Sequence, residues 1–110
     1  YLASNADTVQ RFCNALAAAM KLIREDKSAY VSAMTAEFAN LDKTVVAAGS
    51  DRLLATRGFV PLSPVVSKAE WDAIVEHDTL AGTVRKAFSF EEMVDNRFAQ
   101  KAAEAFGLRG

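Results

Sequence analysis

The chain is poor in the residues that most small-molecule chemistry requires. It holds one cysteine and one histidine. No disulfide can therefore close within it, and no metal site at CxxC or His-pair spacing can be written. Two prolines and five glycines are scattered, and none of the glycines forms a GxGxxG or GxxxxGK[ST] phosphate loop. The net charge is only -1 with a pI near 5.8, so nothing electrostatic calls for nucleic acid or an anionic membrane as a partner. No apolar run approaches the roughly 20 residues needed to span a bilayer. There is no internal repeat, no low-complexity tract and no convincing strand. No secretory signal is present and the first residue is Tyr1, so the chain is expected to be a processed protein or part of a longer one.

What is present, over 110 residues with 51% hydrophobic and 25% charged content, is helical periodicity nearly throughout. From Ala6 to about Glu25, Val9, Phe12, Cys13, Leu16, Met20 and Ile23 recur at three- and four-residue steps as one stripe. Asn5 is placed to cap that helix and Asp7 suits its positive end. Asp26 offers a cap for a second helix, about Lys27 to Phe38, with Tyr30, Val31, Met34 and Phe38 on one face. Asn40 and Asp42 mark a turn. A third helix runs from about Lys43 to Ala55, with Val45, Val46, Leu53 and Leu54 apolar; a close helix crossing is expected at Gly49.

The stretch "TRGFVPLSPVV", Thr56 to Val66, cannot be regular helix but stays apolar. It predicts an extended crossing pinned over a hydrophobic surface. "SKAE" at Ser67 to Glu70 has the Ser-x-x-Glu capping-box pattern. The helix it opens at Lys68 is expected to turn Trp71, Ile74 and Val75 inward and to stop near Gly82. "SFEE" at Ser89 to Glu92 repeats the pattern for a short turn through Val94. Asp95 then caps a last helix, roughly Asn96 to Phe106, with Phe98, Ala102, Ala105 and Phe106 inward and Gly107 closing it. The expected fold is thus all-α, about five helices with a Pro/Gly crossing. The opening "YLAS" reads as the tail of a strand in preceding chain.

Candidate chemistry is thin. Cys13 lies on the first helix's apolar stripe and reads as a small buried side chain. Glu91 and Glu92 sit in a first turn, where the helix dipole and the capping box account for them. His77 lies between Glu76 and Asp78, yet neighbouring helical residues point in different directions, so it is expected in solvent. Trp71 reads as cover for a helix junction rather than a stacking platform. Arg52 and Arg57 flank "LLAT" as either an anion clamp or solvated helix-end charges. Asp95 and Asn96 read as a corner. No catalytic residue, metal ligand or cofactor is expected. The apolar content does stand out, because leaving such a face wet costs ~25 cal/mol per Å2. Another part of the same protein, or a second copy, is expected to cover it.

The order of these features resembles the C-terminal segment of ABC-transporter substrate-binding proteins, in the group that takes nitrate, sulfonate, taurine and thiamine-pyrimidine precursors. The carrying phrases are "SNADTVQRFCNALAAAMKLIRED", "LDKTVV", "SKAEWDAIV" and "MVDNRFAQKAAEAFGL". Asn5, Asp7, Thr8, Val9, Arg11 and Phe12 match the phrase that opens a long helix in that group. Val94, Asp95, Asn96 and Phe98 match the one that opens its final helix. Ala6 stands where a helix-opening proline is common, and Arg57 to Val66 match only loosely.

The resemblance implies a two-lobed α/β fold of the periplasmic-binding-protein type II kind, with this chain as a C-terminal helical segment laid on a first lobe encoded upstream. It implies a non-enzymatic protein, periplasmic or lipid-anchored outside the cell, that hands a small solute to a membrane permease. It carries no ligand-binding residue onto any position here. Two alternatives stay open. One is a pyrimidine-precursor synthase of the same superfamily. The other is an independent all-α module that dimerises or binds a partner.

Overall fold

The computed structural model describes residues 1–56 and 58–109. The described residues form six α-helices and no strand. They are α1 (Ala6–Glu25), α2 (Lys27–Glu37), α3 (Lys43–Ala55), α4 (Lys68–Leu80), the single turn α5 (Phe90–Met93) and α6 (Arg97–Phe106). The all-α expectation holds, with the short turn raising five helices to six.

Local chemistry accounts for most boundaries. Asp26 accepts from the Ala29 amide at 3.0 Å and Asp42 from the Thr44 amide at 2.7 Å, so each satisfies an orphan donor at the start of its helix. Both capping boxes close. The Ser67 hydroxyl accepts from the Glu70 amide at 3.2 Å while the Glu70 carboxylate accepts from the Ser67 amide at 2.8 Å. Ser89 and Glu92 repeat this at 3.3 and 3.0 Å. Gly107, at φ 66°, ends α6 in the left-handed conformation that glycine adopts without a Cβ penalty.

Several local expectations are corrected. Asn5 occupies the cap position of α1 but makes no capping bond; its amide donates to the Tyr1 carbonyl at 3.0 Å instead. Residues 2–4 form a turn there, not the tail of a strand. A Cβ at Gly49 would meet nothing within 4 Å, so no close crossing explains that glycine. The tight packing falls one residue later, at Ser50, which is 1% exposed. Ile74 and Ala105 face outward rather than inward, and Ala99 and Ala103 take the buried places on α6.

The core lies where the first and last helices cross. Ala17, Ala102, Ala103 and Leu108 are buried together, with Cys13, Met20, Val65 and Phe106 packed around them. Three alanines at its centre let the two helices approach closely, but they bring little apolar area. Gln10 ties the pair further, its amide donating to the Phe98 carbonyl at 3.1 Å. Helix α2 packs on α1 and α3, and Lys27 on α2 meets Asp51 on α3 at 2.7 Å. Helix α4 packs on α5, and that pair reaches the α1/α6 body through the extended crossing.

The result is an open arrangement. Its radius of gyration is 16.6 Å, against about 13 Å for a compact domain of this length. Its accessible surface is 8248 Å2, where a compact monomer of this mass exposes about 6,000 Å2.

Candidate functional site

An apolar trough lies between α1 and α4, floored by the crossing. Leu16 and Met20 form one wall, Ala73 and Ile74 the other, and Pro61, Pro64, Val65 and Val66 run between them around about 580 Å3. Glu70 and Ser63 supply its polar atoms. Phe12, 63% exposed and one turn from Leu16, extends the apolar line along α1. A chain with this much uncovered aliphatic and aromatic surface presents a place for a macromolecular partner to dock.

The trough has its shape because the crossing is fixed at three points. Arg24 donates to the Pro61 carbonyl from the end of α1. The Ser63 hydroxyl accepts from the Val65 amide at 3.2 Å. The Asn96 side chain then takes both backbone groups of Val66, accepting from its amide at 3.0 Å and donating to its carbonyl at 2.7 Å. Among the described residues of the crossing, Val65 alone reaches the core; Phe59 and Leu62 stay outside. The pinned crossing is as expected, but it presents apolar side chains more than it buries them.

Asp95 and Asn96 thus divide the work at the corner, and the sequence-based assignment of the cap to Asp95 is refined. Asn96 occupies the cap position of α6 and makes no capping bond, since its amide is committed to Val66. Asp95 stands one residue earlier and accepts from the Arg97 amide at 3.1 Å. The Arg97 guanidinium grips the same carboxylate at 2.9 and 2.7 Å. Those side-chain bonds, with the backbone amide behind them, hold the Asp95 carboxyl down at about 2. An acid so depressed is a permanent anion, unsuited to proton transfer near neutrality.

The remaining candidates stay apart from one another. Cys13 is half-buried against the alanine core. His77 is 81% exposed; its Nδ1 does meet Asp78 at 3.1 Å, so these sequence neighbours touch despite the helical geometry. Glu92 is consumed by its capping box, which keeps its carboxyl below the usual range, and Glu91 is exposed. Trp71 is half-buried, and its indole N–H donates to the Phe88 carbonyl at 3.3 Å. Arg52 is exposed near the end of α3, and Arg57 lies outside the described residues. Among the described residues no three His, Cys, Asp or Glu side chains converge.

Two features had no expectation in the sequence. The Asn96–Val66 clamp joins positions 30 apart, and no local pattern encodes that. The Ser50 hydroxyl is buried without a hydrogen-bond partner among the described residues. No protein-family model, curated protein or solved structure matches this chain.

Proposed function

We propose that this chain is the C-terminal helical part of a substrate-binding protein for an ABC importer. It would capture a small organic or inorganic anion, or a pyrimidine precursor, and deliver it to a membrane permease. It works outside the inner membrane, periplasmic or lipid-anchored, without catalysing a reaction.

The observation that carries this reading is the apolar trough lined by Leu16, Pro64, Val66 and Ile74, together with the openness of the chain around it. A surface of that kind suits a helical layer resting on an α/β lobe encoded upstream. The two helix-opening phrases, at Asn5 to Phe12 and Val94 to Phe98, support the same assignment. The solute is held by other parts of the protein, and the role of these helices is to complete one lobe.

The test is equilibrium binding by the full-length gene product to nitrate, taurine, an aliphatic sulfonate and a pyrimidine precursor, with product analysis alongside. Saturable binding of one of them without product is expected. Turnover would move the protein to the synthase alternative. A native gene product no longer than this chain would remove the reading altogether.

A second reading, an independent interaction module that pairs with its own copy, is favoured by Phe12. That ring prolongs the apolar line of α1 beyond the trough. Light scattering on the 110-residue chain separates the readings by whether a defined dimer or indefinite association forms.

A further inference from the structure

The α4/α5 pair and the loop between them line a second hollow of about 510 Å3, on the other side of Ile74 from Met20 and the trough's α1 wall. That size falls within the roughly 300–1,000 Å3 of small-molecule sites, which combine apolar walls with a few placed polar groups. Trp71, Ile74 and Val75 line it from α4, and Phe88 and Met93 from the α5 side.

The loop that closes this cavity is fastened at both ends. After α4, the Asp78 carbonyl accepts from the Thr83 and Val84 amides at 2.9 and 3.2 Å. Gly82 makes the reversal at φ 72°, where a residue with a Cβ would be strained. Before α5, the Trp71 indole holds the Phe88 carbonyl. The cavity is therefore framed by hydrogen bonds rather than by a loose loop.

Its charged lining is unequal. Asp78 lines it as a single anion, its carboxylate meeting the His77 Nδ1 at 3.1 Å. Arg85 and Lys86 line it too, and neither forms an ion pair among the described residues. Lys86 stands over the Phe88 ring at 5.7 Å, a placement that brings a cation to the aromatic wall. Two uncommitted cations beside an apolar floor are complementary to a ligand with one anionic end and one hydrocarbon end.

We infer that the α4/α5 cavity binds an apolar monocarboxylate, its carboxylate on Arg85 and Lys86 and its hydrocarbon body against Trp71, Ile74 and Met93. The site is separate from the solute capture proposed above and does not depend on it. Guanidinium and ammonium donors to a carboxylate form charge-assisted bonds, stronger than those a neutral head group makes. The hydrocarbon supplies affinity and the head group supplies selection.

Decanoate, kept below its micellar concentration, is the probe, with decanol as a neutral body of the same length. Binding is read from the methionine methyl resonances of the labelled chain. Met93 lines this cavity, Met20 lines the trough and Met34 lies on α2, so the three methyls report the place of binding. Decanoate should shift the Met93 methyl saturably while leaving Met20 and Met34 in place, and decanol should bind at least tenfold more weakly. The double variant Arg85→Ala/Lys86→Ala should lose at least tenfold in decanoate affinity. Equal affinity for decanol, a shift of Met20 with no shift of Met93, or an undiminished double variant would each overturn the inference. Should that variant fail to fold, the decanoate–decanol contrast on the parent chain still decides.

Discussion

Asn96 pairs with Val66 as a neighbouring β-strand would, accepting from its amide at 3.0 Å and donating to its carbonyl at 2.7 Å. One side chain stands in for a peptide unit and joins the crossing to the first turn of α6. Asn96→Ala removes both bonds, each worth about 0.5–1.5 kcal/mol net. A loss of about 1–3 kcal/mol is expected in urea unfolding. Asn96→Asp should cost at least as much, because a carboxylate then faces the Val66 carbonyl. An unchanged midpoint in both variants would show that the crossing is held by packing alone.

Ser50→Ala is expected to stabilise the chain. The hydroxyl is buried without a partner among the described residues, and alanine is also the better helix former. Removing an unsatisfied polar group recovers about 1 kcal/mol, read as a higher denaturation midpoint.

Overpacking the α1/α6 crossing should have the opposite sign. Ala102 has no exposed surface, so Ala102→Leu forces the helices apart and costs about 1–3 kcal/mol. The same exchange at Ala105, which is exposed, should be close to neutral.

Asp95 gives a pH signature. Its carboxyl is lowered from 3.8 to about 2 by the Arg97 bonds, so the folded chain holds this proton less tightly than the unfolded one. The stabilisation is complete above about 3.8 and fades as pH falls towards about 2. Asp95→Asn should lie below the parent in midpoint near neutrality and converge with it across that window. A constant difference down to the lowest pH would show that the corner does not depend on the ionised acid.

The trough predicts association. The 110-residue chain should self-associate in light scattering, and Leu16→Lys with Val66→Lys should suppress this without altering helix content by circular dichroism. The backbone groups of Val66 that Asn96 holds are untouched by the exchange.

Helix existence was legible because its signals are local. Asp26, Asp42, Ser67 and Ser89 each act within three residues, and the starts of α2 to α5 follow from them. Which face each helix buries was less legible. On α1 the apolar stripe includes both Cys13, which packs on the core, and Phe12, which does not. Periodicity gives the stripe, whereas the partner helix selects the part that is buried. That partner presents Ala102, which the periodicity places inward, together with Ala99 and Ala103, small residues whose burial it does not mark. The division of labour between Asp95 and Asn96 was half visible. The corner follows from two poor helix formers in succession, but the amide's commitment to Val66 depends on a segment far away in the chain. Of the α4/α5 cavity the sequence marks only the α4 wall, Trp71, Ile74 and Val75; the loop that completes it carries no periodic pattern.

The α1/α6 crossing has a kinetic consequence. It joins the first helix to the last, with Gln10 reaching a carbonyl 88 residues away. Contacts over such a separation are entropically the slowest to close. During synthesis Ala17 on α1 must wait for Ala102 and Ala103 until α6 has left the ribosome.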